Sequence, residues 1–337
     1  MIRDSINLLC PLQRLTKSVC LLPFLLASSN TPADWLKQQQ NIMGTRVSVE
    51  LWHDNSQLAQ NCSDKIFSEM HRLDAMMSPY KADSEIRFIN SNAANTSVEI
   101  GAELSEVINR SLHFSEISGG AFDITFASVG YQYDYRNKIQ PSEQIIKLGL
   151  PSIDYHHIKL DRQKIQFDNS GVRIDLGGIA KGYAVDRALQ IAQQCGINEA
   201  MISAGGDSRI LGKKRGKPWI IGIQHPRKKN ELALVLPLSD TAISTSGDYE
   251  RFFIRDGQRI HHIINPSTGK SATATWSATV TGPDAMTTDA LSTTIFVLGA
   301  KKGIALIETL ENIDAVIIDN QGNVHYSSGL QEPTSNE

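Results

Sequence analysis

Arg173-Ile174-Asp175-Leu176-Gly177-Gly178-Ile179-Ala180-Lys181-Gly182-Tyr183-Ala184-Val185-Asp186 is the densest motif in the chain. It predicts a strand that runs into two glycines and then a helix over residues 179–195, with Lys181 in the first turn. Glycines let a ligand approach the backbone closely, and a helix N-terminus offers free N–H groups to an anion such as phosphate. A tight strand–helix turn with an exposed lysine explains the motif equally well, and neither a Walker loop nor GxGxxG is present.

A second motif lies on a predicted helix from about Met286 to Leu298. Asp289 and Thr293 are four residues apart there, so they share one helix face. Carboxylate and hydroxyl oxygens are hard ligands that suit Mg²⁺ together with water and substrate phosphates. Taken alone, the motif favours the simpler interpretation, in which Asp284 or Thr287 caps a helix with a solvated face.

A third motif, residues 259–269, reads as a strand followed by a turn. Strand alternation puts His261 and His262 on opposite faces, so one should face the core or a cleft and the other solvent. A cleft histidine can act as a general base near neutral pH, although a structural role is somewhat more common. The pair lacks the helical spacing and third ligand of a zinc site.

Outside these motifs, strands and helices occur in mixed order, without a regular βαβ rhythm. We therefore predict an α+β fold, with mixed sheets and packed helices, rather than a doubly wound parallel sheet. The length of 337 residues suggests about two domains. The absence of an internal linker instead favours one large domain that spans residues 30–337. The predicted strands include residues 47–51, 219–223, 232–236, 241–245 and 259–264, with hairpins at 158–167 and 315–326. Helices are predicted to end at Ser78-Pro79 and at Gly119-Gly120, and another lies near residues 302–310.

Composition excludes several classes of protein. Apolar residues make up 41% and charged residues 20%, which excludes disorder and collagen, and a net charge of −3 argues against wholesale nucleic-acid binding. Residues 1–29 resemble a secretory signal peptide, with Arg14 and Lys17 before a short apolar run and a cut before Asn30. A cytoplasmic tail is the alternative. No other apolar run reaches the length of a membrane span.

Cysteine usage is sparse. Cys10 and Cys20 would leave with the leader, and neither follows the pattern of a lipoprotein cleavage site, so we predict no lipid anchor. Cys62 and Cys195 remain, and the sequence leaves open whether they pair.

Five shorter motifs complete a recognisable order along the chain: Met43-Gly44-Thr45 on the first strand, Ser78-Pro79-Tyr80, Gly120-Ala121-Phe122-Asp123, Gly205-Gly206-Asp207 and Ser246-Gly247-Asp248-Tyr249. With the three motifs above, they resemble the ApbE-type FAD:protein FMN transferases over about residues 41–320. The resemblance implies an enzyme that cleaves the FAD pyrophosphate with Mg²⁺, moves FMN onto a Thr or Ser of an acceptor flavoprotein, and releases AMP.

The resemblance also implies roles for individual residues. His262 would be the catalytic base, and Mg²⁺ would be held by the Gly178 carbonyl, Asp289 and Thr293. The FAD site would be lined by Met43, Tyr80, Ala121, Phe122, Asp123, Asp175, Lys181 and Ile264. The acceptor would carry a Ser/Thr-Gly-Ala-Thr type of target, as on a membrane-bound electron-transfer subunit, which suits a periplasmic location.

Two alternatives stay open at this point: an Mg²⁺-dependent FAD pyrophosphatase and a non-catalytic FAD-binding protein. The chain also departs from the family pattern Asp-Pro-Arg/Lys-Thr-Gly, because it has Asn265 and Ser267 at the first and third positions. The missing positive charge puts one contact to the acceptor or a phosphate in doubt.

Overall fold

The computed structural model describes residues 35–330, which belong to one compact unit. The predicted signal peptide, its cut before Asn30, Cys10 and Cys20, and the tail from Gln331 lie outside the described residues. Seven helices are found in the described part: α1 Ser56–Met77, α2 Glu85–Asn92, α3 Ala102–Ile117, α4 Ala127–Gly130, α5 Glu143–Gly149, α6 Ala180–Gln194 and α7 Ala285–Ile307.

The strands of the described residues form one large sheet and several small ones. The strands are β1 Leu36–Ile42, β2 Thr45–Trp52, β3 Val98–Glu99, β4 Ile158–Asp161, β5 Lys164–Phe167, β6 Glu199–Ala204, β7 Asp207–Leu211, β8 Trp219–Gln224, β9 Leu232–Leu238, β10 Ala242–Gly247, β11 Phe252–Arg255, β12 Gln258–His261, β13 Ile264–Asn265, β14 Lys270–Ser271, β15 Thr275–Gly282, β16 Asp314–Asp319 and β17 Val324–Tyr326. The large sheet has the order β1-β2-β6-β7-β10-β15-β16-β17, with antiparallel neighbours throughout. The predicted α+β class is confirmed.

Helices α6 and α7 pack closely against each other and contribute many of the buried core residues. Helix α7 packs on β10, β15 and β16, and α6 packs on both α1 and α7. A Cβ atom on Gly182 of α6 would lie 2.1 Å from the Ala285 carbonyl oxygen, so only glycine permits this approach. The crossing brings the start of α6 against the first turns of α7.

Helix α7 joins two segments that the sequence predicted separately. The run is broken at Gly299, where φ is 76° and ψ is 173°, values that favour glycine. By length and composition α7 could cross a membrane, which the sequence reading missed. More than half of its apolar stretch is buried against the sheet, as expected for a core helix.

Two predicted strands differ from the structure. Residues 172–176, where the sequence predicts a strand, belong to no sheet, because the Asn90 side chain takes the place of a neighbouring strand. Its amide accepts from Ile174 N at 2.8 Å and donates to Ile174 O at 2.9 Å. The strand predicted over residues 259–264 is split between β12 and β13, because the chain turns after His261 to pair β13 with β14.

The Met43-Gly44 pair forms a turn rather than part of a strand. It connects β1 to β2 in a hairpin, with φ of 54° at Met43 and 68° at Gly44. Positive φ at both central residues is the geometry of a primed two-residue turn. The turn places Met43 at one end of the large sheet.

The predicted helix ends and hairpins are confirmed. Helix α1 ends at Met77 with Ser78 as its cap, and α3 ends at Ile117 before two glycines with positive φ. The hairpins β4–β5 and β16–β17 also pair as predicted.

Candidate functional site

One cleft of about 570 Å³ gathers the residues that the sequence singled out. Its size falls within the range of small-molecule sites. The predicted residues that line it are Met43, Tyr80, Ala121, Phe122, Asp123, Asp175, Gly178, Lys181, His262, Ile264, Asp289 and Thr293. The structure therefore brings all twelve together from positions 43 to 293, and their individual roles stay predictions.

A buried charge cluster lies at one end of the cleft. The Lys181 ammonium, on the second residue of α6, is 2.7 Å from Asp207 Oδ2 and 3.3 Å from both Asp289 carboxylate oxygens. Asp207 and Asp289 are each only 2% exposed. Two carboxylates and one ammonium leave a net negative charge in this end of the cleft, and the interpretation of Lys181 as an exposed lysine is wrong.

Mutual electrostatics set the protonation of the cluster. Burial raises the pKa of Asp289, the neighbouring Asp207 charge adds to that rise, and Lys181 opposes it. Burial lowers the pKa of Lys181, but the charges of Asp207 and Asp289 outweigh it, so that pKa is raised overall. Lys181 therefore carries its positive charge at neutral pH.

The N-terminus of α6 already binds a carboxylate of the protein, that of Asp289. Gly182 N donates to Asp289 Oδ2 at 3.0 Å, and Ala180 N donates to Leu176 O at 2.8 Å. The expected set of free N–H groups for a phosphate is therefore partly used by Asp289. The Lys181 ammonium is engaged as well, because it contacts both carboxylates and donates to the Gly177 carbonyl oxygen at 3.2 Å.

The sequence analysis placed Asp207 in a motif but assigned it no role in the site. It is the first residue of β7, after a turn in which Gly205 has φ of 64°. A Cβ atom on Gly206 would lie 2.4 Å from the Thr245 carbonyl oxygen, so the turn packs against β10. The Gly-Gly-Asp motif was visible, but its partner Lys181 is found only in three dimensions.

The donor set beside this cluster fits a magnesium ion. Asp289 offers a carboxylate, Thr293 a hydroxyl and Gly178 a carbonyl, and all three are hard oxygen donors. A Cβ atom on Gly178 would lie 3.2 Å from Thr293 Oγ1, which shows that the two residues adjoin. Within residues 35–330 there is no cluster of three or more His, Cys, Asp or Glu side chains that suits a metal. A single carboxylate with neutral oxygens is nevertheless a common magnesium environment, because water and substrate phosphates complete it.

His262 lies in the cleft, whereas His261 lies in the core. His261 Nε2 is 2.7 Å from the Ala272 carbonyl oxygen, and its ring packs edge-on against Phe296. His262 lines the cleft, and its buried Nδ1 has no hydrogen-bond partner among the described residues. The expectation that one histidine faces open solvent is therefore wrong, because the chain folds back as β13 and β14 immediately afterwards.

The environment of His262 keeps its ring neutral. Burial lowers its pKa to about 3, helped by the nearby positive charge of Arg251. A neutral imidazole has a free lone pair that can take up a proton, but so low a pKa makes the ring a weak base, since a general base works best with a pKa near the working pH.

Arg251 is a cleft residue that the sequence reading missed. Its Nη2 donates to the Gly44 carbonyl oxygen at 3.0 Å, and its own carbonyl accepts from His262 N at 3.2 Å. It therefore ties the turn between β1 and β2 to the segment that carries His262.

Two predicted FAD-site carboxylates have structural partners. Asp123 accepts from Thr125 N at 2.8 Å, Thr125 Oγ1 at 2.6 Å and Tyr155 N at 2.9 Å. Asp175 Oδ1 accepts from Gly177 N at 2.7 Å, which shapes the double-glycine turn. Burial raises the pKa of both carboxyl groups. Each thus holds a cleft wall in place through backbone N–H groups.

The other end of the cleft is aromatic and open. Tyr80 is 78% exposed, and the cleft is also lined there by Phe126, Tyr131 and Tyr135. Flat aromatic faces suit the stacking of a planar ring system.

Known proteins resemble this chain over most of its length. The chain matches the ApbE family over residues 43–317. The FAD:protein FMN transferase of Treponema pallidum is 31% identical over 310 residues, covering 86% of each protein. That of Haemophilus influenzae is 33% identical over 281 residues, covering 79% of this chain and 81% of the relative.

Solved structures show the same fold. The ApbE protein from Thermotoga maritima superposes with a TM-score of 0.81 at 35% identity, covering 88% of this chain and 98% of that one. The flavin transferase ApbE from Vibrio cholerae gives a TM-score of 0.79 at 25% identity, with the same coverage. The resemblance seen in the sequence is therefore confirmed.

Proposed function

Since this chain belongs to the ApbE family, we propose that it is an FAD:protein FMN transferase. The reaction would cleave the FAD pyrophosphate, join FMN through a phosphoester to a Thr or Ser of an acceptor protein, and release AMP. The observation that carries the proposal is the buried Lys181–Asp207–Asp289 cluster at the closed end of a cleft whose other end is aromatic. With Mg²⁺ held by Asp289, Thr293 and the Gly178 carbonyl, the closed end would suit a diphosphate, and the other end suits a flat ring.

The chain would act on the diphosphate mainly by charge and position. Transfer of a phosphoryl-type group requires alignment and neutralisation of developing charge more than covalent help from the protein. Lys181 supplies a fixed positive charge, and Asp207 holds its ammonium in place. Asp289, Thr293 and the Gly178 carbonyl would hold Mg²⁺, which when bound supplies Lewis-acid stabilisation of the diphosphate oxygens.

His262 would accept the proton of the acceptor hydroxyl. The hydroxyl oxygen would attack the phosphorus on the FMN side, and the bond to the AMP oxygen would break. AMP would leave with that bond's electron pair, and the hydroxyl proton would pass to the neutral ring of His262. Its backbone N–H bond to Arg251 O and the Arg251 contact to Gly44 hold this ring in the cleft wall.

The test is an acceptor assay with matched targets. The protein is incubated with FAD, Mg²⁺ and an acceptor domain carrying a Ser/Thr-Gly-Ala-Thr type of target, beside the same domain with valine at the hydroxyl residue. We expect flavin on the denatured hydroxyl acceptor only, with AMP formed in equal amount. Absence of flavin from that acceptor would overturn the proposal.

The same assay distinguishes the transferase from the two alternative functions. An FAD pyrophosphatase would release FMN and AMP without an acceptor, at a rate that the acceptor does not change. Tight FAD binding with no turnover in any arm would instead identify a non-catalytic binding protein.

We also propose that the protein works in the periplasm, on an acceptor such as a subunit of a membrane electron-transfer complex. The leader-like residues 1–29 support this location. Sequencing the N-terminus of protein from a periplasmic extract tests it, with Asn30 as the expected first residue.

A further inference from the structure

Cys62 and Cys195 meet at the packed pair of helices α1 and α6. Cys62 lies within α1 and is 1% exposed, whereas Cys195 caps the C-terminus of α6 and is partly exposed. Both side chains line the same surface pocket. Both also approach one carbonyl oxygen: that of Ile191 lies 4.0 Å from Cys62 Sγ and 3.0 Å from Cys195 N.

The backbone around Cys195 is fixed rather than loose. Cys195 N donates to Ile191 O, and Ile197 N donates back to Ala192 O at 3.0 Å through a turn in which Gly196 has φ of 81°. Such a closing turn is a standard helix C-terminus. The backbone position of Cys195 beside α1 is therefore fixed.

Small reagents can reach the pair. A surface pocket of about 330 Å³ is lined by both cysteines, with Leu58, Asn61 and Lys65 around them. The pocket is separate from the cleft that holds Lys181 and His262, since the two share no lining residue.

We propose that Cys62 and Cys195 are a dithiol site that forms an intramolecular disulfide with a small disulfide oxidant such as oxidised glutathione. Burial and the neighbouring Cys195 raise the pKa of the Cys62 thiol, so Cys195 is the first nucleophile. Its thiolate attacks one oxidant sulfur and displaces one thiolate. Cys62 then loses its proton, attacks the Cys195 sulfur of the mixed disulfide and displaces the second thiolate. Two protein thiols and one oxidant disulfide thus become one protein disulfide and two small thiols.

The cross-link would tie together two helices whose far ends line the catalytic cleft. Helix α1 leads into Ser78 and Tyr80, and α6 begins beside Gly178 and Lys181. The bond would close a long loop, from position 62 to position 195, and a long loop constrains the unfolded chain strongly. We therefore expect the oxidised protein to melt about 5 °C or more above the reduced protein.

The experiment uses the native full chain treated with oxidised glutathione, then acid quenching, alkylation and peptide mapping by mass spectrometry. We expect one peptide pair joined through Cys62 and Cys195, with both sites protected from alkylation. In Cys62→Ala we expect glutathione on Cys195, whereas in Cys195→Ser the buried Cys62 should stay unmodified. Alkylation of both thiols after treatment, or pairing of either with another cysteine, would overturn the proposal.

A second readout separates this site from the proposed transferase. Both activity and FAD affinity should be equal in the oxidised and reduced forms at 25 °C, because the pocket shares no residue with the cleft. Disulfide mapping does not depend on any enzymatic turnover, so its result stands whether or not flavin transfer is found.

Discussion

The two ends of the cleft differ in how far their side chains are buried and bonded to the core. At the closed end, Lys181, Asp207 and Asp289 are held in ion pairs and hydrogen bonds on α6, β7 and α7. At the open end, Tyr80 is 78% exposed and makes few contacts. On the proposed function, the groups that would act on a diphosphate are organised in advance by the core, whereas the face that would receive a flat ring is completed by the ligand itself.

The largest expected effect comes from Asp289→Asn at the closed end. The substitution keeps the shape but removes the charge that suits Mg²⁺, so we expect transfer to slow by about 10³-fold. FAD affinity should change by less than about fivefold in equilibrium titration, since the aromatic end is intact.

Asp284→Asn is the matched control, because Asp284 only caps the same helix by accepting from Thr287 N and asparagine caps equally well. Full activity in Asp289→Asn would refute the metal assignment.

Lys181→Gln should weaken the fold as well as the reaction. It leaves two buried carboxylates facing each other without a cation, and the expected loss in free energy of unfolding is about 3 kcal/mol. Urea unfolding in chelator measures it. Lys159→Gln, which removes an exposed pair with Asp168, should lose less than about 0.5 kcal/mol. Equal losses in the two variants would show that burial of the cluster has no energetic weight.

His262→Gln should change how stability depends on pH. The folded-state pKa of about 3 lies below the unfolded value, so the folded state binds fewer protons and stability falls as pH drops below about 6.5. Between pH 7 and pH 5 the free energy of unfolding of the wild type should fall by at most about 2 kcal/mol more than that of His262→Gln. The exposed His71→Gln is the control, and a pH profile of His262→Gln that parallels the wild type would contradict a buried neutral ring.

The smallest effect is expected from Tyr80→Ala at the open end. Loss of one stacking face should raise the FAD dissociation constant about tenfold, with the rate at saturating FAD nearly unchanged. Stability should stay within about 0.5 kcal/mol, as for Phe88→Ala, an exposed aromatic on α2 outside the cleft. A drop in the saturated rate would show that the aromatic end takes part in the chemistry.

Much of the fold could be predicted because its signals are local. The alternation at Val47, Val49 and Leu51 gave β2, and the helical spacing before Ser78-Pro79 gave α1. Strand β1 was not predicted, because Leu36–Ile42 is mostly polar and lies at the sheet edge, where half-exposed glutamines carry no hydrophobic period. The extended segment before Gly177 imitates a strand, because Asn90 supplies hydrogen bonds that no sequence pattern announces.

The site residues also divide into those with a local sequence signal and those without one. Its twelve predicted residues came from short motifs in a familiar order, and all twelve line the cleft. Asp207 was seen only as part of a motif and Arg251 was missed, because their importance rests on contacts with Lys181 and Gly44, which are distant in sequence. Local patterns report backbone geometry, but long-range ion pairs appear only after the chain has folded.

The most direct test of this division of labour is the double variant Asp289→Asn/Tyr80→Ala, measured by FAD titration and by single-turnover transfer at saturating FAD. If the two ends act independently, the double variant binds FAD as weakly as Tyr80→Ala and reacts as slowly as Asp289→Asn, within about 0.5 kcal/mol. A coupling above about 1 kcal/mol in either quantity would contradict the account, because it would show that the two ends of the cleft act as one unit.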